Sequence, residues 1–257
     1  MAAPQPLGGR LLAGLDACNG WAARHDVTRS QQGSELDVVL STLVQLVERT
    51  SALLRSAAPA GPRTRVGDTL TLGQWLAVSP ATAPPESAPP ESAPPEGALP
   101  AALLAATAGA RAELLAAPED NVVSTPYGPV RLVVVLAAAT VQLAVAAGDL
   151  SALGPDGVPL SLPRSVLQTA CRSLCTVLEE LAPGHSVELR VPPFAAVQLV
   201  EGPRHTRGTP AAVVEVDPLT FIALAAGRTT WQRAAGGGAL RASGERSDLS
   251  WLLPFMG

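Results

Sequence analysis

Residues 214–231 read VEVDPLTFIALAAGRTTW, and this stretch decides the fold of the C-terminal part of the chain. Its first three residues alternate apolar and polar side chains, which is the period of a strand. Asp217 then offers a good N-cap, and Pro218 stands at the first helical position, where its missing N–H costs nothing. Gly227 is a natural end for this helix. The stretch therefore predicts a strand that leads directly into a helix.

Further strands and helices are predicted on both sides of this stretch. Short runs with the alternation or the composition of strands cover residues 186–191, 195–200, 211–216 and 240–243. Helical patterns cover residues 164–181 and 229–235, and Ser247 is predicted to cap a last helix that ends at Leu253. Residues 163–257 are therefore predicted to form one domain that mixes strands and helices.

The N-terminal part carries four long helical patterns instead. They cover residues 7–24, 35–57, 99–116 and 130–150, with Gly148 as a stop for the fourth. Helices with apolar stripes can bury them only against one another, which predicts a four-helix bundle over residues 1–152 and an α+β class for the whole chain. The segment TLTLGQWLAV, residues 69–78, fits either a short helix or an extended segment. Residues 80–97 include three near-copies of a proline-rich unit and are predicted to form a solvated, polyproline-like loop.

The composition limits the classes of binding partner and the cellular compartment that are expected for this protein. The net charge is −4 with 16% charged residues, which gives no electrostatic reason to bind nucleic acid. Residues 130–147 are the one candidate for a membrane span, but a span needs about 20 apolar residues and this stretch contains Arg131 and Gln142. A buried bundle helix is the better interpretation. Because the N-terminus lacks a signal-peptide pattern and three cysteines give no disulfide framework, a cytoplasmic protein without an integral membrane segment is predicted.

The C-terminal motifs resemble those of a known family. They are VELRVPPFAAVQ (residues 187–198), GPRHTRGTP (202–210), the stretch 214–231 and ASGERSDLSWLLP (242–254). Together they resemble the bacterial sterol-carrier-protein orthologue family of actinobacteria, over about residues 184–254. The resemblance implies a mostly antiparallel sheet covered by helices. It also implies an apolar cavity between these layers that holds a lipid or another hydrophobic ligand.

The N-terminal part resembles the DinB-like helical bundle of the mycothiol-dependent maleylpyruvate isomerases, mainly in its helix order and in Asp149-Leu150 after the fourth helix. This resemblance implies a divalent metal held by a histidine on the second helix and by a glutamate and a histidine on the last. The corresponding positions here are Thr42, Gln142 and Ala146. Threonine and glutamine are poor zinc ligands, and alanine has no lone pair. A metal-free bundle without a cofactor is therefore predicted.

Two sets of residues are candidate ligand contacts. The first set could line an apolar cavity or pack as an ordinary core, and it consists of Phe194, Val197, Leu199, Val214, Phe221, Leu224, Trp231 and Leu240. The second set could bind a carboxylate or a phosphate, and it consists of Arg204, His205, Thr206, Arg207 and Thr209. The alternative for the second set is an ordinary turn whose arginines pair with Glu201, with Glu215 or with solvent.

These observations favour a noncatalytic binding or carrier protein for a hydrophobic or amphipathic, lipid-like small molecule. The sequence has no serine-nucleophile elbow, phosphate loop or dinucleotide fingerprint. Two alternatives stay open at this point. One is a protein related to the mycothiol-dependent isomerases and transferases with a degenerate metal site. The other is a structural or partner-binding protein whose cavity is filled by its own side chains.

Overall fold

The structure is a computed structural model that describes residues 5–24, 33–60, 66–78, 98–154, 159–202 and 212–256. The chain divides into two units, Met1–Val166 and Leu167–Gly257. The predicted α+β class is confirmed, because a helical N-terminal region precedes a region with a sheet. The loop predicted at residues 80–97 lies outside the described residues.

The described part of the N-terminal unit contains four long helices and a short one. In chain order they are α1 (Leu7–Arg24), α2 (Gly33–Ser56), α3 (Leu72–Val78), α4 (Leu99–Ala116) and α5 (Leu132–Leu153). Each long helix contributes leucines to one buried core, for example Leu11, Leu40, Leu103 and Leu143. Helix α5 buries residues around its whole circumference, which is the pattern of a central helix.

Residues 69–78, for which the sequence allowed either a short helix or an extended segment, contain the short helix α3. Thr71 and Gln74 form a reciprocal capping box at its start. The Gln74 N–H donates to Thr71 Oγ1 at 3.3 Å, and the Thr71 N–H donates to Gln74 Oε1 at 2.9 Å. These bonds satisfy backbone donors at the beginning of the helix. Trp75 and Leu76 follow and are buried.

A β-hairpin lies where the fourth helical pattern was predicted to begin. Strands β1 (Val122–Thr125) and β2 (Gly128–Arg131) pair antiparallel, and the two residues Pro126 and Tyr127 join them. Helix α5 consequently begins at Leu132. Backbone hydrogen bonds also fasten the hairpin to the segments before it, since β1 bridges to the residues that follow α2 and β2 accepts a bond from the segment before α3.

Both ends of α5 differ from the predicted range. At the start, Val130 is fully buried in the hairpin, and Gly128 adopts φ +125, a conformation that favours glycine in a tight turn. At the end, the predicted stop at Gly148 is wrong, since α5 continues to Leu153. A glycine inside a helix costs only about 1 kcal/mol, and the complete burial of Leu150 half a turn later outweighs that penalty.

The C-terminal part of the chain contains a four-stranded sheet and three helices in its described residues. In chain order the elements are α6 (Arg164–Leu181), β3 (Pro183–Val191), β4 (Ala195–Leu199), β5 (Ala212–Val216), α7 (Pro218–Ala225), α8 (Trp231–Gly236) and β6 (Leu240–Ser243). The strand order is β4-β3-β5-β6. The pairs β3–β4 and β5–β6 are antiparallel, and the central pair β3–β5 is parallel. The predicted mostly antiparallel sheet is confirmed.

Asp217 starts α7 in the predicted way. Its Oδ1 accepts hydrogen bonds from the backbone N–H groups of Leu219 at 3.1 Å and Thr220 at 3.0 Å. Pro218 occupies the start of the helix, and Gly227 follows its end with φ +68. The local signals of the deciding stretch therefore determine the strand-to-helix transition in the sheet-containing unit.

The last predicted helix is shorter than expected, and its N-cap position is Leu249, which forms no side-chain cap. Ser250–Leu252 form a single 3-10 turn. The Ser250 N–H donates to Asp248 Oδ1 at 2.9 Å, and hydrogen bonds from Ser250 hold the pKa of Asp248 below its ordinary value. The prediction of Ser247 as the cap is wrong, because the Ser247 hydroxyl donates to Gly244 O at 2.8 Å in the preceding turn.

Two helices, α4 and α5, are long and apolar enough to cross a bilayer by length and composition alone. The sequence pattern indicated one candidate, residues 130–147, most of which lie in α5. In the most apolar 18-residue stretch of α5, 67% is buried within the protein, and in that of α4 the buried share is 28%. Core helices of globular proteins pass the same test, so two such helices are weak evidence for membrane spans.

Candidate functional site

Five of the predicted apolar candidates line one interior space in the C-terminal unit. They are Val214, Phe221, Leu224, Trp231 and Leu240, which lie among side chains from the sheet, α6 and the C-terminal turn. The space that they enclose is about 10 Å³. One water molecule already requires about 10–15 Å³. These side chains therefore fill the interior themselves in the described structure.

The other three apolar candidates lie elsewhere in the same unit. Leu199 is fully buried, whereas Phe194 and Val197 line an open groove of about 330 Å³ between α6 and β4. Arg172 of α6 crosses this groove and donates through Nε to Phe194 O at 3.0 Å. Cys175 also lines it, and burial raises the pKa of its thiol to about 12. A thiol with this pKa is neutral at physiological pH and is no nucleophile.

The predicted anion contacts lie outside the described residues. These contacts are Arg204, His205, Thr206, Arg207 and Thr209. An anion site at this turn therefore stays a prediction. Glu215, one of the alternative partners for these arginines, lies on β5 in register with Arg190 of β3.

An apolar cleft opens in the N-terminal unit, where the sequence predicted no ligand pocket. Its volume is about 250 Å³. Side chains from α2, α3, the hairpin turn and α5 line it, and most of them are apolar. The lining residues are Leu46, Arg49, Thr50, Ala52, Leu53, Trp75, Thr125, Pro126, Tyr127, Val135, Ala139 and Gln142.

The hairpin turn fixes one rim of the cleft. Thr125 Oγ1 donates to Gly128 O at 2.6 Å and accepts a bond from the Tyr127 N–H at 3.3 Å. Tyr127 lines the cleft and is 57% exposed, which places its ring at the mouth. Trp75 of α3, in contrast, is 7% exposed and lines the interior. The cleft thus has one aromatic ring inside and one at its opening.

Arg49 is the one charged residue among those that line the cleft. Its Nε donates to Gln45 O, one turn earlier on α2, at 3.3 Å. No carboxylate within the described ranges forms an ion pair with it. Partial burial lowers the pKa of Arg49 from its ordinary value, because desolvation disfavours a charged group. The guanidinium nevertheless stays charged at any physiological pH.

Gln142 of α5 contributes a second unused donor to the cleft. Its Nε2 is buried and has no hydrogen-bond partner in the described structure. A buried donor that lacks an acceptor costs about 1–3 kcal/mol. The neighbouring Thr50 hydroxyl hydrogen is already used, since it donates to Leu46 O at 2.7 Å. Arg49 and Gln142 therefore contribute to the cleft two hydrogen-bond donor groups that have no acceptor within the described residues.

The positions of the predicted degenerate metal site do not form a set of metal ligands. Gln142 lines the cleft, but Thr42 does not, and its hydroxyl donates to Val38 O at 2.8 Å. Ala146 is buried and offers no ligand atom. Across the described ranges, no three histidine, cysteine, aspartate or glutamate side chains are arranged to hold a metal ion. These residues do not fit a divalent metal, and the absence of a metal from the protein stays a prediction.

Arg49, Trp75 and Tyr127 were not predicted as site residues. One signal was available on α2, where Leu46 and Leu53 are seven residues apart. Apolar residues at this spacing share one helix face. The other signals were the capping box before Trp75 and the proline and glycine that flank Tyr127.

The geometry defines a helical-bundle unit with an apolar cleft, followed by a unit with a mixed, helix-covered sheet. Residues 163–255 match the model of a family described as bacterial SCP ortholog. This match confirms the resemblance that the C-terminal motifs predicted. It covers less than half of the chain and characterises its C-terminal part.

Two solved structures resemble the whole chain at low similarity. One is the crystal structure of the mycothiol-dependent maleylpyruvate isomerase, with 18% identity, 95% coverage of each chain and a TM-score of 0.47. The other is a histidine-to-alanine mutant of that enzyme, with 17% identity, 95% coverage of each chain and a TM-score of 0.44. No curated protein sequence matches the chain. Similarity at this level carries no conclusion about activity or ligand.

Proposed function

We propose that this chain is a binding or carrier protein for a hydrophobic or amphipathic small molecule, and that the molecule lies in the bundle cleft. The observation that carries the proposal is the free volume of the cleft together with its mostly apolar lining. The cleft offers about 250 Å³, whereas the interior of the C-terminal unit offers about 10 Å³. The groove between α6 and β4 is larger, at about 330 Å³, but Arg172, Thr176 and Glu179 give it a polar wall. The match of residues 163–255 to the bacterial SCP ortholog family supports a lipid-like class of ligand.

The volume of the cleft limits the size of the ligand. A buried apolar cavity of about 150 Å³ binds benzene, and pockets for drug-sized molecules measure about 300–1,000 Å³. At about 250 Å³, the cleft suits one aromatic ring with a short substituent, or a short chain of similar volume. It is too small to enclose a steroid nucleus.

Apolar contacts alone give weak binding in a cleft of this size. Burial of an aromatic group removes about 150–250 Å² from water, which is worth about 4–6 kcal/mol at 25 cal/mol per Å². The loss of translational and rotational freedom subtracts from this gain. A net gain of about 4 kcal/mol corresponds to a millimolar Kd, so tighter binding requires the polar donors of the cleft.

Binding of a neutral one-ring probe, 3-phenyl-1-propanol, measured by NMR titration, tests the location of the site. The full chain should bind the probe saturably, with a Kd of about 1 mM. Ala139→Phe introduces a ring at a buried position of the cleft lining, and we expect it to weaken probe binding by at least about tenfold. Ala52→Trp tests the same prediction from the exposed rim.

Two controls separate the cleft from the rest of the protein. Ala108→Phe adds the same ring at an exposed position of α4 outside the cleft and should leave the affinity unchanged. Val214→Ala enlarges the filled interior of the C-terminal unit and should also have no effect. The proposal fails if both cleft variants bind the probe normally, or if Val214→Ala strengthens binding. Circular dichroism of each variant verifies that it is folded.

A further inference from the structure

Arg49 differs from its neighbour Arg55 on the same helix, because no anionic partner for Arg49 lies within the described residues. Arg55 Nη1 lies 3.0 Å from Glu113 Oε1 on the surface of the bundle. Arg49 lies in the apolar lining of the cleft, and its hydrogen bond to backbone uses only Nε. The two terminal amino groups, which form the planar fork that grips oxyanions, have no acceptor within the described residues.

Helix α5 contributes another hydrogen-bond donor to the same cleft. Gln142 Nε2 on α5 is buried and has no hydrogen-bond partner in the described part of the chain, and Arg49 lines the cleft from α2. An amide can present either its nitrogen or its oxygen to a ligand, so Gln142 alone does not fix the sign of the ligand's charge. The guanidinium fixes it, because a partly buried positive charge is stabilised by an anion.

We infer that the cleft selects a monocarboxylate with an apolar body. The carboxylate accepts hydrogen bonds from Arg49 and Gln142, and the apolar body lies against Trp75 and Tyr127. This inference rests on the proposed function, since it names the class of ligand for the same cleft.

The charge and shape of the lining favour a carboxylate over other anions. Arg49 contributes one positive charge, and the lining contains no other arginine and no lysine, histidine, aspartate or glutamate. A monoanion balances this charge, whereas a dianionic phosphate leaves excess charge beside apolar side chains. A carboxylate also matches the guanidinium fork with two parallel hydrogen bonds. The rings of Trp75 and Tyr127 offer flat surfaces for stacking.

Isothermal titration calorimetry of the full chain with hydrocinnamate and with its neutral amide tests the inference. Both probes carry one phenyl ring on a short chain and differ in charge. We expect the carboxylate to bind at least about tenfold more tightly than the amide. Arg49→Gln should remove this preference and change amide binding by less than about twofold. Arg49→Lys keeps the charge but loses the fork, so it should retain a reduced preference. Gln142→Leu should weaken carboxylate binding by about threefold.

The matched control is Arg55→Gln, the same substitution on the same helix outside the cleft, which should leave both affinities unchanged. Equal binding of carboxylate and amide by the unchanged protein overturns the inference. So does a carboxylate preference that survives Arg49→Gln. If 3-phenyl-1-propanol still binds in the cleft, the proposed function stands without its anion specificity. If that neutral probe also fails to bind, both ideas fail together.

Discussion

The two units use apolar side chains in different ways. In the C-terminal unit, Phe221, Trp231 and Leu240 meet side chains from several elements and leave about 10 Å³ between them. In the bundle, Trp75 and Tyr127 border a cleft of about 250 Å³. Both sets have the residue types that line ligand pockets. The comparison shows that residue type indicates which side chains are buried, whereas neighbouring side chains decide whether any space is left.

Small residues explain why the bundle cleft stays open. Ala52 and Ala139 stand on the two long helices that line it, and neither side chain reaches far from its helix. The remaining walls come from the short helix α3 and the turn of a hairpin, which surround the space without filling it. In the C-terminal unit the residues around the interior space are leucine, valine, phenylalanine and tryptophan, and their larger side chains fill the space between the layers.

The largest expected effect is a loss of stability when the filled interior is emptied. Phe221→Ala should lower the free energy of unfolding by about 3–5 kcal/mol, because it removes a buried ring and leaves a cavity. Leu53→Ala in the cleft should cost less than about 2 kcal/mol, since Leu53 is only partly buried and already borders open space. Urea unfolding monitored by far-UV circular dichroism measures both values. Equal losses would show that the two regions do not differ in packing.

An intermediate effect is expected from the buried thiols at alkaline pH. Burial raises the pKa of Cys171 and Cys175 in the C-terminal unit, and of Cys18 in the bundle, from 9.0 to about 12. Below the unfolded pKa of 9.0 each thiol is protonated in both states and has no effect. Above that pH the unfolded thiols ionise first and favour unfolding. Each should lower the unfolding free energy by up to about 1.4 kcal/mol per pH unit, so the C-terminal unit should lose about twice as much as the bundle.

Cysteine variants assign this pH dependence to the thiols. Urea unfolding is measured at about pH 8 and about pH 10.5 for the unchanged protein, Cys175→Ala and Cys18→Ala. Cys175→Ala should reduce the alkaline loss in the C-terminal unit, and Cys18→Ala should reduce it in the bundle. If both variants keep the full loss, other groups cause it and the thiols do not distinguish the units.

The smallest expected effects come from the helix caps. Asp217→Ala removes an acceptor that serves two backbone N–H groups of α7, and it should destabilise the protein by about 1.5 kcal/mol. Thr71→Ala removes an acceptor for one N–H of α3 and should cost about 0.5 kcal/mol. Because α3 carries Trp75, only Thr71→Ala should also weaken binding of the neutral probe. Probe titration beside urea unfolding tests this, and a weaker titration in Asp217→Ala would contradict it.

Local signals were sufficient to predict most elements. The predicted helices at residues 7–24, 99–116 and 164–181 match α1, α4 and α6 residue for residue. The N-cap at Asp217 was also correct, because an aspartate followed by a proline restricts the backbone without help from distant residues. The hairpin was missed because its apolar residues joined the next helical pattern, although Pro126 and Gly128 marked a turn between two short strands.

The cleft could not be predicted from local patterns. Its walls come from segments that lie far apart in the sequence, from Leu46 on α2 to Gln142 on α5. Free volume depends on the sum of side-chain sizes around a point, and no single stretch contains that sum. The sequence analysis placed the ligand in the C-terminal unit because the resemblance implied a cavity there. It identified Gln142 only as a position that lacks a metal ligand.

The hairpin separates the mouth of the cleft from the parts of the unit that hold the fold together. Val123 and Val130 are buried at its base, whereas Tyr127 is exposed at its tip. Residues at the tip can therefore diverge in evolution, or be randomised in a library, with little penalty to folding. Exchange of Pro126 and Tyr127 is therefore expected to alter ligand preference at the mouth of the cleft, while the buried valines keep the base of the hairpin in place.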